Sequence, residues 1–183
     1  MRRPMARFMR RGKRTVYENP WLRFEAHEIV HPGGAPGEHG VVVNPPASAV
    51  VPIDGEDVWL ARQARFAIGL SVIEVVKGGA DPGESALDAA QRELREELGL
   101  AAAQWDALGI IYEIPSIVQT PVSLFIARDL SELETGGDRE GVESIEKIRM
   151  PLRDALFACT HGGIDDAVTG LALFRAARFL AVF

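Results

Sequence analysis

Residues 78–100 read GGADPGESALDAAQRELREELGL, and this stretch decides how the rest of the chain is interpreted. It opens with glycines and a proline, which favour a loop, and continues into a segment rich in strong helix formers. Ser85 is suited to the N-cap position with Asp88 three residues later, and Gly99 is suited to the position that ends a helix. We therefore predict a loop followed by a helix from Ala86 to Leu98.

Three glutamates share one face of this predicted helix. Glu96 follows Glu93 by three residues and Glu97 follows it by four, so at about 100° per residue the carboxylates span roughly 100° of the helix surface. Like charges at this spacing destabilise an isolated helix by about 0.2–0.5 kcal/mol per pair, and a bound cation turns that repulsion into attraction. Oxygen-only ligands select hard cations, so the cluster indicates Mg²⁺ or Mn²⁺. The alternative is a solvated face on which Arg92 and Arg95 offset the acids.

The spacing of the fixed residues resembles the Nudix box. That pattern is a glycine, five residues, a glutamate, seven residues, then Arg-Glu, an aliphatic residue, any residue, Glu-Glu, any residue, a glycine and an aliphatic residue. Gly78, Glu84 and residues 92–100 fill every fixed position. The resemblance to Nudix hydrolases implies an α/β fold, an α/β/α sandwich with a mixed sheet and an N-terminal strand region.

The same resemblance assigns the metal site. It implies that Glu93 and Glu97 are the main ligands, that Glu96 is a ligand or holds a bound water, and that the Lys77 or Gly78 carbonyl oxygen is a further ligand. Glu96 and Glu97 are for this reason also candidate catalytic residues. Metal ions of this kind neutralise a diphosphate and activate a bound water, so no covalent nucleophile is implied.

Residues upstream of the box resemble the branch of the family that hydrolyses ADP-ribose and related ADP compounds. These are the segment RQARF at 62–66 and the pair Ile73-Glu74. They make Arg62, Arg65 and Glu74 candidate substrate-binding residues, although the residues alone also allow Arg65 to be a surface ion-pair partner.

Two further features bear on the substrate. Pro115 resembles a downstream proline of the same branch, which makes the adjacent Ser116 a candidate substrate contact, or else part of a simple turn. Lys77-Gly78 stands where ADP-ribose pyrophosphatases commonly have Ala-Gly, and this form is closer to hydrolases that accept several ADP compounds.

Composition fits a single compact domain over residues 15–183, since the chain has 183 residues and 47% of them are hydrophobic. Residues 1–14 are predicted to be a basic, disordered tail, which leaves open a transit peptide or binding to nucleic acid or lipid. The formal net charge is −6, which argues against a nucleic-acid-coating protein. No apolar run is long enough to cross a bilayer, and the single Cys159 fits a reducing compartment, so we expect a cytoplasmic protein without a membrane partner.

The pattern of apolar residues predicts the remaining elements. One or two strands are expected in 15–30, followed by a loop at 31–39. Further strands are predicted at 40–44, 48–53, 57–63, 70–76, 105–112, 122–127 and 144–150, and helices at 152–158 and 164–182.

The resemblance implies that water attacks one phosphorus of a nucleoside-diphosphate compound and releases a nucleoside monophosphate and a phosphorylated product. ADP-ribose or a related ADP compound is the expected small-molecule substrate, and a homodimer is the expected assembly. Three alternatives stay open at this point: a house-cleaning hydrolase of nucleoside triphosphates, a non-catalytic nucleotide sensor on the same fold, and a nucleic-acid-binding protein that uses the tail. The intact box disfavours the sensor.

A general base is also needed, and in the branch named above a glutamate on a loop after the sheet often supplies it. Four glutamates of this region are candidates, namely Glu134, Glu140, Glu143 and Glu146, and Glu143 matches best because it lies just ahead of Ile145; the alternative is a solvated acidic loop. We predict that Glu143→Gln lowers kcat by roughly 10²–10⁴-fold with little change in KM, the usual range for a general base. Glu140→Gln is the matched control in steady-state kinetics, and if it is the crippling change instead, the base is misplaced within the loop.

Overall fold

The computed structural model describes residues 7–134 and 145–182. Its elements, in chain order, are β1 (Met9–Glu18), β2 (Arg23–Val30), β3 (Pro36–Val43), β4 (Ala47–Asp54), β5 (Asp57–Arg65), β6 (Leu70–Glu74), β7 (Val76–Gly79), α1 (Ala86–Leu98), β8 (Leu100–Ile111), β9 (Val122–Glu132), β10 (Glu146–Pro151), α2 (Leu152–His161) and α3 (Ala167–Phe179).

The chain divides into two compact units, and the single domain expected over 15–183 stays a prediction. The first unit combines Met1–Pro45 with Tyr112–Thr120, and the second combines Pro46–Ile111 with Pro121–Phe183. The division follows the hydrogen bonding, because β1, β2 and β3 form a three-stranded sheet of their own in the order β1-β2-β3.

The predicted disordered tail is wrong for residues 9–14, which belong to strand β1 and pair with β2. Two of their positive charges pair with acids of the same sheet: Lys13 Nζ lies 2.7 Å from Glu25 Oε1 and Arg14 Nη2 lies 3.3 Å from Glu38 Oε2. Hydrogen bonds with Lys13 and with His27 lower the pKa of Glu25 to about 2. A basic segment that finds acidic partners in this way is ordered as a strand.

The second unit is built on a seven-stranded sheet with the order β10-β5-β4-β9-β8, in which β6 pairs with β5 and β7 with β4. Strands β4 and β9 are parallel and the other pairs are antiparallel, so the sheet is mixed. Successive side chains of β4 point to opposite faces: Ala49 and Val51 join the buried cluster that contains α2 and α3 residues, whereas Val50 joins the cluster that contains α1 residues. The predicted α/β/α sandwich is confirmed.

Helix α1 has the bounds that its capping residues predict. The Asp88 N–H donates to Ser85 Oγ at 3.1 Å, and Gly99 ends the helix with a φ of 62° and an N–H that donates to the Arg95 carbonyl. Leu94 and Leu98 are buried in one cluster with Val50 of the sheet. Packing of this apolar stripe places the glutamates on an adjacent side of the helix.

The chain changes strand partners between β6 and β7, because β6 pairs with β5 and β7 pairs with β4. Val75 lies at this change, and its N–H donates to Thr169 Oγ1 of α3 at 3.0 Å. The Thr169 hydroxyl in turn donates to Asp166 Oδ2 at 2.6 Å, and Asp166 is the N-cap of α3. The start of α3 is thereby fixed to the point where the sheet changes partners.

Some boundaries differ from the predicted ones for local reasons. Strand β8 begins at Leu100 rather than near Trp105, because Gly99 ends the helix and the chain enters the strand directly. Strand β3 begins at Pro36, inside the segment predicted as a loop, because it pairs along β2. Within 7–134 and 145–182, no helix combines the length and apolar character needed to span a bilayer.

We predict that Thr169→Val lowers the free energy of unfolding by about 1–3 kcal/mol, because the buried Val75 N–H loses its acceptor. Thr169→Ser keeps the hydroxyl and should retain most of the stability. The exposed Thr160→Val is the matched control and should change the free energy of unfolding by less than about 0.5 kcal/mol. Urea denaturation measures all three, and a Thr169→Val variant as stable as the original chain would show that this hydrogen bond is not needed.

Candidate active site

Arg92 joins the loop before α1 to the carboxylates on the helix. Its Nε and Nη2 atoms donate to the two carboxylate oxygens of Glu84, each at 3.0 Å, and Nη2 also donates to the Gly79 carbonyl at 2.8 Å. Its Nη1 donates to Glu93 Oε1 at 2.6 Å and to Glu96 Oε2 at 3.3 Å. The hydrogen bond with Glu84, and after it the one with Glu93, raise the pKa of Arg92, and the hydrogen bond with Arg92 lowers the pKa of Glu84. The hydrogen bonds between Glu84 and Arg92 thus tie the loop to helix α1.

Gly78 lies directly against the carboxylate of Glu93. A Cβ atom at position 78 would collide with all three carboxylate atoms, so only glycine allows β7 to approach the helix this closely. Glu93 and Glu97 are buried, at 4% and 3% exposure, while the Glu96 side chain is 38% exposed. The structure therefore brings the backbone of β7 beside the acidic face of α1.

Within residues 7–134 and 145–182, no three His, Cys, Asp or Glu side chains converge with the geometry of a metal site. Arg92 contacts Glu93 and Glu96 instead and supplies a positive charge to them. The chemistry of the donor set nevertheless fits Mg²⁺ or Mn²⁺, because carboxylate oxygens lie beside a backbone that glycine allows to come close. Arg92 offsets part of the negative charge of these carboxylates, and a hard cation bound at the same face would offset more of it.

A pocket of about 740 Å³ opens in the second unit. It is lined by three of the four candidate substrate residues, Arg62, Arg65 and Glu74, and by Lys77. Glu74 is 1% exposed, forms an ion pair with Arg65, and accepts a hydrogen bond from Gln63 Nε2 at 2.5 Å. The segment that resembles the ADP-compound branch therefore forms one wall of a cavity.

The other candidates are placed differently. Arg62 lines the pocket but also pairs with Glu146 across the β5–β10 ladder, with Nη1 3.1 Å from Oε2. Ser116 belongs to the first unit, where its carbonyl oxygen accepts a hydrogen bond from His39 Nε2 at 2.9 Å. Glu143 and its rival Glu140 lie outside the described residues.

Two side chains at the pocket carry contacts that sequence reasoning did not find. Lys77 Nζ lies 2.9 Å from Glu74 Oε2 and 2.8 Å from Asp166 Oδ1. Burial of Asp166 opposes its ionisation, but the charge of Lys77 and hydrogen bonds with Lys77 and Thr169 outweigh burial and lower the pKa of Asp166. The spacing of Asp166 and Thr169 signals a helix N-cap, whereas the pairing with Lys77 depends on the fold.

Comparison with known proteins agrees with this geometry. A NUDIX domain model matches residues 43–168, and a model of the nucleoside diphosphate sugar hydrolase N-terminal domain matches residues 10–42. The chain is 26% identical to an ADP-ribose pyrophosphatase of Bacillus subtilis (strain 168) over 88% of both chains. It is 31% identical to an ADP compounds hydrolase of Escherichia coli (strain K12), over 75% of this chain and 73% of that protein.

A solved structure has the same fold as this chain. A crystal structure of an ADP compounds hydrolase superposes with a TM-score of 0.84 over 99% of this chain and 98% of the other, at 23% identity. The boundary between the two matched families, at residues 42 and 43, lies close to the boundary between the two compact units. The NUDIX match covers more than half of the sequence and contains the whole Gly78–Leu100 box, so the chain belongs to the Nudix hydrolase family.

Proposed function

We propose that this enzyme hydrolyses the diphosphate linkage of a nucleoside-diphosphate derivative, with ADP-ribose or a related ADP compound as substrate. The observation that carries the proposal is the pairing of a carboxylate-rich helix, organised by Arg92, with a pocket in the same unit that presents Arg62 and Arg65. The names of two relatives, an ADP-ribose pyrophosphatase and an ADP compounds hydrolase, support the same substrate class.

Glu93 and Glu97 are the residues that would hold the divalent cation, with Glu96 as a third ligand or the holder of a bound water. The backbone carbonyl of Lys77 or Gly78 would complete the oxygen donors. When bound, Mg²⁺ or Mn²⁺ supplies charge neutralisation for the diphosphate and activation of water. Arg92 orients Glu93 and Glu96 through its hydrogen bonds, and Glu84 holds Arg92 in place.

The pocket suits a small nucleotide-like molecule. Its volume of about 740 Å³ lies within the roughly 300–1,000 Å³ usual for ligand sites. Guanidinium groups such as those of Arg62 and Arg65 bind phosphate oxygens with paired hydrogen bonds. Hydrolysis breaks one P–O bond of the anhydride and leaves the oxygen of water on the attacked phosphorus, which gives a nucleoside monophosphate and a phosphorylated product.

A house-cleaning hydrolase of nucleoside triphosphates is the second candidate, because the box itself is compatible with either substrate. The residues that favour ADP compounds are Arg65 and Glu74, which form an ion pair in the pocket wall. A triphosphate substrate would release pyrophosphate, so product analysis separates the two functions.

We also infer a cytoplasmic homodimer that does not bind nucleic acid. Large apolar side chains are exposed on the first unit, including Trp21 at 75% and Tyr17 at 57%, which is consistent with a surface covered by a second copy. Lys13 and Arg14 are paired with acids of their own sheet, so these two charges are less available to a phosphate backbone.

We predict that Glu93→Gln and Glu97→Gln each lower kcat by at least about a hundredfold, because each removes a charged ligand of the cation. The same variants should weaken Mn²⁺ binding measured by calorimetry without substrate. Glu132→Gln, at an exposed position at the end of β9, is the matched control for both measurements. Near-normal turnover and Mn²⁺ affinity in either box variant would show that the metal is held elsewhere.

We predict that kcat/KM for ADP-ribose or another ADP compound exceeds that for dGTP by at least about tenfold, a difference of about 1.4 kcal/mol in transition-state binding. Product analysis should show AMP and a phosphorylated second product. Arg65→Met should raise KM for the ADP compound, whereas Arg153→Met, whose side chain is 80% exposed on α2, should not. A preference for dGTP with release of pyrophosphate would overturn the ADP-compound assignment.

A further inference from the structure

Both carboxylate oxygens of Glu74 contact donor groups of neighbouring side chains. Its Oε1 accepts from Gln63 Nε2 and from Arg65 Nη2, and its Oε2 lies 2.9 Å from Lys77 Nζ. Only 1% of the residue is exposed. A carboxylate that is buried and surrounded by three donors in this way presents little surface to a ligand, so its effect on the pocket passes through the side chains it holds.

Lys77 is held in turn from the other side. Its Nζ lies 2.8 Å from Asp166 Oδ1, and Asp166 is fixed as the N-cap of α3 by the Thr169 N–H at 2.9 Å and the Thr169 hydroxyl at 2.6 Å. The Lys77 side chain is only 18% exposed. Removal of one partner from a pair of this kind leaves a poorly compensated buried charge, so such pairs respond strongly to substitution.

These contacts form a continuous chain of alternating charges, from Arg65 to Glu74, to Lys77 and to Asp166. The four side chains come from four different elements: β5, β6, β7 and the N-terminus of α3. All four residues line the same pocket. The arrangement therefore connects the guanidinium at one wall of the pocket to the start of a helix at another.

We propose that Lys77 is a positioning residue for substrate binding: together with Asp166 it orients Glu74, and Glu74 orients the Arg65 guanidinium toward the phosphate of the substrate. We call Glu74, Lys77 and Asp166 the Lys77 clamp. The proposal rests on the proposed function, because it needs a phosphate-bearing substrate in the pocket. It assigns Glu74 to the support of Arg65 and not to direct contact with the substrate.

The clamp predicts an effect on binding rather than on the chemical step. The Lys77 ammonium pairs with Glu74 and Asp166, so we expect its loss to act on these two pocket residues and to leave the metal ligands in place. Lys77→Met keeps the length of the side chain and removes the charge. It should raise KM for ADP-ribose by about tenfold, with kcat changed by less than about threefold, because Arg65 loses its fixed orientation before the transition state forms.

The experiment is a set of steady-state measurements on folded variants, with folding checked by circular dichroism. Lys77→Arg keeps a positive charge and should rescue KM. Asp166→Asn keeps an N-cap acceptor and should raise KM in the same direction as Lys77→Met. Lys147→Met, at an exposed position of β10, is the matched control and should leave both constants unchanged.

A double-mutant cycle decides whether Lys77 acts through Glu74. In a Glu74→Gln background, Lys77→Met should raise KM by less than about twofold, since the partner it orients is already altered. A full tenfold rise in that background would show that Lys77 contacts the substrate directly and would overturn the proposal. An unchanged KM in Lys77→Met alone would overturn it as well.

The activity of the original chain distinguishes a failure of the Lys77 clamp from a failure of the proposed function. If the original chain hydrolyses no nucleoside-diphosphate derivative, the proposed function fails and the clamp fails with it. If the original chain is active and Lys77→Met has a normal KM, only the clamp is wrong. The same holds if Lys77→Met both lowers kcat and raises KM and Lys77→Arg restores neither.

Discussion

Carboxylates that share one face of a helix repel one another, and the fold of this protein has to hold them together. Arg92 is the side chain that makes this possible, because its five donors reach Glu84, Gly79, Glu93 and Glu96 at once. A planar guanidinium can donate to three carboxylates and a carbonyl in fixed directions, which a lysine ammonium on a flexible stem cannot do. The loop before α1 is therefore tied to the helix through the same charge that keeps the acidic face intact.

The rest of the second unit serves to place that helix against the sheet. Leu94 and Leu98 pack on β4 and β7 residues, and Gly78 lets β7 come within contact of Glu93. On the other face, α3 is attached at the point where the chain passes from β6 to β7, through the Val75–Thr169 hydrogen bond. The two faces of the sandwich are thus coupled through four consecutive residues, Glu74 to Lys77, which contribute to the pocket, to the core and to the approach of β7 toward the metal-binding face.

Sequence reasoning predicted the features that depend on local order. The caps of α1, the spacing of its glutamates and the strand at 48–53 are all readable within a short window, and each agrees with the structure. The strand structure of residues 9–14 was missed because their charges suggest solvation unless the acids of β2 and β3 are known to lie beside them. The pairing of Lys77 with Asp166 was missed for the same reason, since it joins residues that only the sheet and α3 bring together. The metal-ligand roles of the glutamates come from the box alone, and the structure adds the counter-charge and the close glycine but no converged cluster within its described residues.

Buried ion pairs are a poor way to gain stability, because the cost of removing two charges from water often exceeds their mutual attraction. Stability therefore does not by itself explain a chain of four such charges around one pocket. Arg65 is the member whose side chain is most exposed, at 35%, whereas Glu74 is almost completely covered and Lys77 and Asp166 are largely covered. Arg65 is thus the most exposed of the four charges, and the three side chains that hold it are more covered than it is. An arrangement of this kind leaves one charge facing the cavity in a defined direction, which is what recognition of a phosphate group requires.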